Sequence, residues 1–228
     1  MAFRRKIGPA KDAPEPAALA AGLAAIGFKL GVAPAKTEPN IEDMLLFASI
    51  EALERDLRLL ATLLLWIRIH RAYVNADRLT RLVVAEPSVR VRAFWAGVAR
   101  WLHVDRRFAR LIKAHRGGRI DLGGEGPEDP RFKRGPIRVP ASVTREREAD
   151  VLTPPALARR HRDYRSRVAI GPSYRADMWA ALEAEPGLSA SDLAHRAYGS
   201  FATAWLVKRD FDILDTARVR MKTRPHAR

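Results

Sequence analysis

The sequence predicts a mainly α-helical protein with a central helical bundle, a Pro/Gly-rich basic connector with little strand, and a C-terminal unit of three helices. Three observations carry that expectation. Apolar residues recur at helical spacing from residue 41 to residue 116, with no strand pattern between them. Residues 117–172 hold 7 of the 14 glycines and 7 of the 15 prolines, a density that regular structure does not sustain. From residue 173 onward, capping residues and Pro/Gly stops divide the chain into three short helical stretches.

Residues 1–40 are rich in Ala, Pro and Gly and read as a flexible N-terminal segment with one short helix from Pro16 to Phe28. Arg4, Arg5 and Lys6 resemble the basic start of a signal peptide, but Lys11, Asp12, Glu15 and prolines follow where an apolar stretch is needed. The bundle, residues 41–116, opens with Asn40 as N-cap and Asp43 three residues on. Its first helix carries Met44, Leu45, Ile50, Leu53, Leu57, Leu60, Leu64 and Ile67. From Leu59 the apolar residues cover every face, which places this helix at the centre. Beyond the N-terminal segment the longest apolar stretch, Leu59 to Ile67 with Thr62 inside it, is too short for a membrane span of about 20 residues. Asn75 and Asp77 open a second helix through Val84, a third runs from Ser88 to His103, and a fourth from Asp105 to His115. In the connector, Ile137 to Val143 reads as a short edge strand. Pro155 to Val168 reads as a helix with six Arg or His on an exposed face.

The last domain, residues 173–228, ends in a basic tail. Ser173 caps a helix that stops at Pro186 and Gly187. Ser189 and Asp192 form a capping box for a second helix of about eight residues. Gly199 makes a turn, and Ser200 caps a third helix that runs to about Asp215. A short helix, a tight turn and a longer helix is the helix-turn-helix arrangement. It needs small or apolar side chains where the two helices cross. Leu193, Ala194 and Ala197 supply them on one helix, and Ala204, Val207 and Phe211 on the other.

The stretch ASDLAHRAYGSFATAWLVKRDF resembles bacterial helix-turn-helix transcriptional regulators, over about forty residues. It departs from their pattern in two ways. Tyr198 stands where a turn glycine is most common, and the third helix offsets Lys208 and Arg209 with Asp210, Asp212 and Asp215. A second resemblance joins the "ALERDLRLL" bundle and the C-terminal module to proteins encoded beside abortive-infection nucleotidyltransferase toxins of type IV toxin–antitoxin systems. The antitoxins of that group carry the DNA-binding module at the N-terminus, whereas here it lies at the C-terminus. These resemblances imply a DNA-binding regulator or antitoxin-type repressor without catalysis. Its expected partners are duplex DNA, a nucleotidyltransferase-type toxin and a second copy in a homodimer.

The charge agrees with that expectation. Lys plus Arg number 41 against 26 acids, for a net +15, which favours polyanionic partners. Most of the excess, +10, lies in residues 100–176. On the resemblance, the DNA contacts fall on Ser189, Ser200, Phe201, Thr203, Lys208 and Arg209, and on the tail cations Arg218, Arg220, Lys222 and Arg224. A phosphate-binding patch is expected from Arg159, Arg160, Arg162, Arg165, Arg167 and Arg175. A cytoplasmic protein with no membrane association and no cofactor is expected.

Zero cysteines exclude disulfides, thiolate nucleophiles, iron–sulfur clusters and Cys-ligated zinc. The six histidines lack metal-ligand spacing, and the glycines form neither GxxxxGK nor GxGxxG after a strand. One enzyme pattern remains. Arg110 and His115 resemble the Arg–His spacing of the HEPN ribonucleases, in which the Arg holds a phosphate and the His acts as general acid or base. A basic protein-interaction scaffold is the remaining alternative.

Overall fold

The computed structural model describes residues 14–222, with side chains as far as Ala217. The protein is mainly α, and its chain divides into two compact units between His161 and Arg162. The boundary therefore falls inside the segment that composition marks as connector, not at residue 172.

In the larger unit, α1 (Pro16–Ala25) lies on α2 (Ile41–Glu54), which packs against α3 (Leu59–His70) and α4 (Ala76–Ala85). α5 (Val89–Trp101) completes the bundle. The caps form as the sequence predicts: Asn40 accepts from the Glu42 and Asp43 N–H groups, Asn75 from Arg78, and Ser88 from Val91. Two elements differ. The first bundle helix is two helices, because the Asp56 carboxylate accepts from the Arg58 N–H in a turn that interrupts it. The expected fourth helix is a 3-10 helix, Arg106–Ala114. Its apolar residues Phe108, Leu111 and Ala114 recur every three positions, which is the 3-10 period.

The segments on either side of the bundle are part of this unit. From the N-terminal segment, Leu19, Leu23, Ile26 and Phe28 are buried. The Trp66 indole N–H donates to Ile26 O at 2.7 Å, and Phe28 bridges to Val151. From the Pro/Gly-rich segment, Phe132, Ile137, Val139 and Leu157 are buried as well. Its strand content is two residue pairs, with β1 (Ile120–Asp121) parallel to β2 (Ile137–Arg138). Phe132 reaches α5 only because position 97 is glycine, where a Cβ would come within 2.9 Å of the ring. Composition marks this segment as irregular, and most of it is. It folds down nonetheless, since one apolar side chain every few residues is enough to anchor it.

The smaller unit holds α7 (Arg162–Ile170), α8 (Tyr174–Ala184), α9 (Ala190–Arg196) and α10 (Phe201–Lys222). The helix expected over 155–168 is split. α6 (Pro154–Arg160) belongs to the larger unit and ends at the extended residue His161, whose buried imidazole meets Pro39 O at 3.2 Å. Ser173, Ser189 and Ser200 each accept from the backbone N–H three residues on, so all three predicted caps form. Met178, Leu182, Leu193, Ala194, Ala197, Ala204, Val207 and Phe211 make one core.

Candidate nucleic-acid interface

The site builds up from the turn between α9 and α10. Tyr198 takes φ +56°, the left-handed conformation that favours glycine. The sequence puts its glycine one position late, and the backbone still turns at the expected place. Ala194 is 2% exposed in the core that α9 and α10 share. α9 and α10 pack against each other on either side of this turn, and both pack on α8.

At the start of α10, Phe201, Ala202, Trp205 and Leu206 are exposed, while Ala204 and Val207 turn into the core. Ser200 Oγ accepts from the Thr203 N–H at 3.1 Å, and the two hydroxyls lie 2.8 Å apart. Phe201 is 59% exposed and Trp205 52%. Ser189, Trp205, Lys208, Arg209 and Ile213 border one groove of about 950 Å³ along α10. The cations there are held. Lys208 pairs with Asp212, and Arg209 pairs with Asp210 while lying over the Trp205 ring at 5.7 Å. Ser200 and Thr203 do not line this groove. Arg218, Arg220 and Lys222 lie on the last turns of α10, where only the backbone is described. Arg224 lies outside the described residues.

Of the expected Arg patch, Arg159 and Arg160 lie on α6 of the larger unit, and Arg162, Arg165, Arg167 and Arg175 lie in the smaller one. Arg167 is 1% exposed and is bound through Nε and Nη2 to both carboxylate oxygens of Asp177, at 2.7 and 3.0 Å. It joins α7 to α8 and is not a surface cation. Arg175 donates to Asp210 at 2.6 Å, and its bonds, with those of Arg209, hold the Asp210 carboxyl below the usual carboxylate range. Arg165 and Arg175 border a second groove of about 520 Å³ with Trp179 and Glu183.

Arg110 and His115 have separate partners. Arg110 donates to the Asp77 carboxylate at 3.0 Å, and the His115 Nε2–H donates to Gly118 O at 2.9 Å. The groove that His115 lines contains Arg92, Lys113 and Arg116, but not Arg110. Among the described residues no three His, Asp or Glu side chains gather in a way that could hold a metal ion. Among them, too, no helix is long and apolar enough to cross a membrane.

Beyond Phe201, which the sequence places among the exposed contacts, sequence reasoning missed the apolar outer residues of α10, Trp205, Leu206, Ile213 and Leu214. The signal was present, because assigning Ala204, Val207 and Phe211 to the core rotates positions 205, 206 and 213 outward. No protein-family model, curated protein or solved structure matches the chain.

Proposed function

We propose that the smaller unit is the DNA-binding module of a transcriptional regulator, of the antitoxin-type repressor class, and that the protein acts by binding rather than by catalysis. The observation that carries this reading is the α9–turn–α10 geometry, with Tyr198 in the left-handed conformation and Ala194 buried beside the turn. It leaves the N-terminal turns of α10 exposed, as a recognition helix requires. In this reading the Ser200 and Thr203 hydroxyls and the helix N-terminus meet phosphate or base edges. Phe201 and Trp205 supply apolar surface of the kind that contacts thymine methyl groups.

The phosphate-binding charge comes mainly from outside the core of the module. Residues 162–217 hold seven Lys or Arg against eight acids, whereas Arg218, Arg220, Lys222 and Arg224 follow them. Arg159, Arg160, Arg162 and Arg165 add to this. A homodimer reading two half-sites fits the class. A nucleotidyltransferase-type toxin as partner rests on the likeness of the bundle and the C-terminal module to proteins encoded beside such toxins. The cytoplasm, where the target DNA lies, is the proposed location.

The test is affinity for random duplex DNA between about 50 and 200 mM salt, where counterion release makes binding fall steeply. Binding at the low end that weakens with salt is expected, and no binding at the low end removes the reading. Thr203→Ala then separates readout from attraction. It should leave random-duplex affinity unchanged and weaken binding to a selected operator.

A further inference from the structure

The larger unit carries a groove that the DNA-binding reading does not use. It lies where the end of α4 and the start of α5 meet the end of the 3-10 helix. Val84, Val89, Arg92, Lys113, His115 and Arg116 line it, around a volume of about 520 Å³. That is the size range of small-molecule sites.

Its chemistry divides into two parts. Val84 is 57% exposed and Val89 47%, so apolar surface lies open to water. The remaining large side chains are cationic or imidazole, and no acid lines the groove. The guanidinium of Arg92 is held by the backbone carbonyls of Glu86 and Pro87. Those bonds fix its direction, and its charge stays whole because the partners are neutral. Among the described residues, Lys113 and Arg116 form no ion pair either. Other arginines of this unit, among them Arg68, Arg78, Arg107, Arg110, Arg131 and Arg138, engage carboxylates. The sequence around the groove sharpens the contrast. Residues 100–119 hold seven Lys or Arg and one acid, Asp105, which Arg107 occupies. His115 lies across Gly117, where a Cβ would come within 3.1 Å of the imidazole. Its Nε2–H is committed to Gly118 O, which leaves Nδ1 as the free ring nitrogen.

A fixed Arg, two further cations and an open valine surface are complementary to a ligand that is anionic at one end and flat and apolar at the other. We propose that this groove binds a nucleoside phosphate unit, with the phosphate on Arg92, Lys113 and Arg116 and the base on Val84 and Val89. A free nucleotide and an unpaired nucleic-acid strand share that chemistry. The proposal does not rest on the helix-turn-helix reading, which concerns the other unit.

The experiment is titration calorimetry of the full chain with AMP, adenosine, inorganic phosphate and a 5′-phosphorylated oligo(dA). AMP should bind at least about tenfold more tightly than adenosine or phosphate, since each lacks one half of the match. Lys113→Glu with Arg116→Glu should weaken AMP binding by about tenfold or more. Both side chains are exposed, so amide exchange across α5 should stay unchanged. Val84→Ser, which removes apolar surface without adding charge, should weaken AMP but not inorganic phosphate. Oligo(dA) binding more tightly than AMP, with the same loss in the charge-reversed protein, assigns the site to a strand. Equal affinities assign it to a free nucleotide. The proposal is overturned if neither AMP nor oligo(dA) binds, if the charge reversal leaves both affinities intact, or if phosphate alone binds as tightly as AMP.

Discussion

Removing the carboxylate of Asp177 should unfold the smaller unit, and removing both members of its ion pair should not. Arg167 and Asp177 are both buried and joined through two hydrogen bonds. Asp177→Ala leaves a guanidinium in the interior with its main anionic partner gone. Breaking a buried pair from one side costs about 3–5 kcal/mol. A body of about sixty residues is marginal to begin with, so a loss of that size removes most of its stability. Amide hydrogen exchange over residues 174–211 reads this unit separately from the other. Protection there should fall roughly a hundredfold to several-thousandfold, with the bundle amides unaffected. Arg167→Met combined with Asp177→Leu should restore protection to within about 1–2 kcal/mol of wild type, because an apolar pair of similar volume replaces a buried ion pair at little cost. Unchanged protection in Asp177→Ala refutes the reasoning. A double variant that folds but loses duplex affinity would return Arg167 to the DNA-binding surface.

Other outcomes follow from the same structure. Ala194→Leu should overpack the α9–α10 contact and cost about 1–3 kcal/mol, seen as faster exchange in both helices; wild-type protection would mean that the helices do not meet there. Ser200→Ala should cost about 1 kcal/mol through loss of the α10 cap, read as a lower unfolding midpoint for the smaller unit. His70 is buried, and burial pushes its pKa down from 6.5 to about 4. The unfolded chain therefore takes up the proton first as pH falls. Stability is full above about pH 6.5 and is lost between there and pH 4, by up to about 3 kcal/mol. Urea unfolding of the larger unit at pH 7 and pH 4.5 should show that loss in the wild type and a smaller one in His70→Gln. An equal loss in both removes His70 as the cause.

The local signals of helix start and stop were legible in the sequence. Every Asn or Ser cap named from it is made, and Leu193, Ala194, Ala197, Ala204, Val207 and Phe211 share one core. What sequence did not reveal is set by distant partners. Gly and Pro density between residues 117 and 161 speaks of irregular backbone, but not of Phe132 seated against Gly97. Arg167 looks like its solvated neighbours on a basic helix, and only Asp177, ten residues later, draws it inside. Of the candidate site, the turn and the caps could be read. The neutralisation of Lys208, Arg209 and Arg175 by nearby aspartates could be read only in part, since the Arg175–Asp210 bond spans 35 residues.

α10 extends well past its own support. Phe211 is its last core residue, and Asp212 to Ala217 are all exposed, yet the helix continues to Lys222. A segment of about eleven residues is too short to be a stable helix by itself in water. It persists on the nucleus that the packed half provides, helped by the Lys208–Asp212 pair. Its helicity should therefore melt from the far end as temperature rises, long before the core opens. Anything gripping the distal turns would have to freeze them first. That binding should be enthalpy-driven, opposed by chain entropy, and steeply weaker on warming, so the overhang gives the protein a built-in thermal sensitivity.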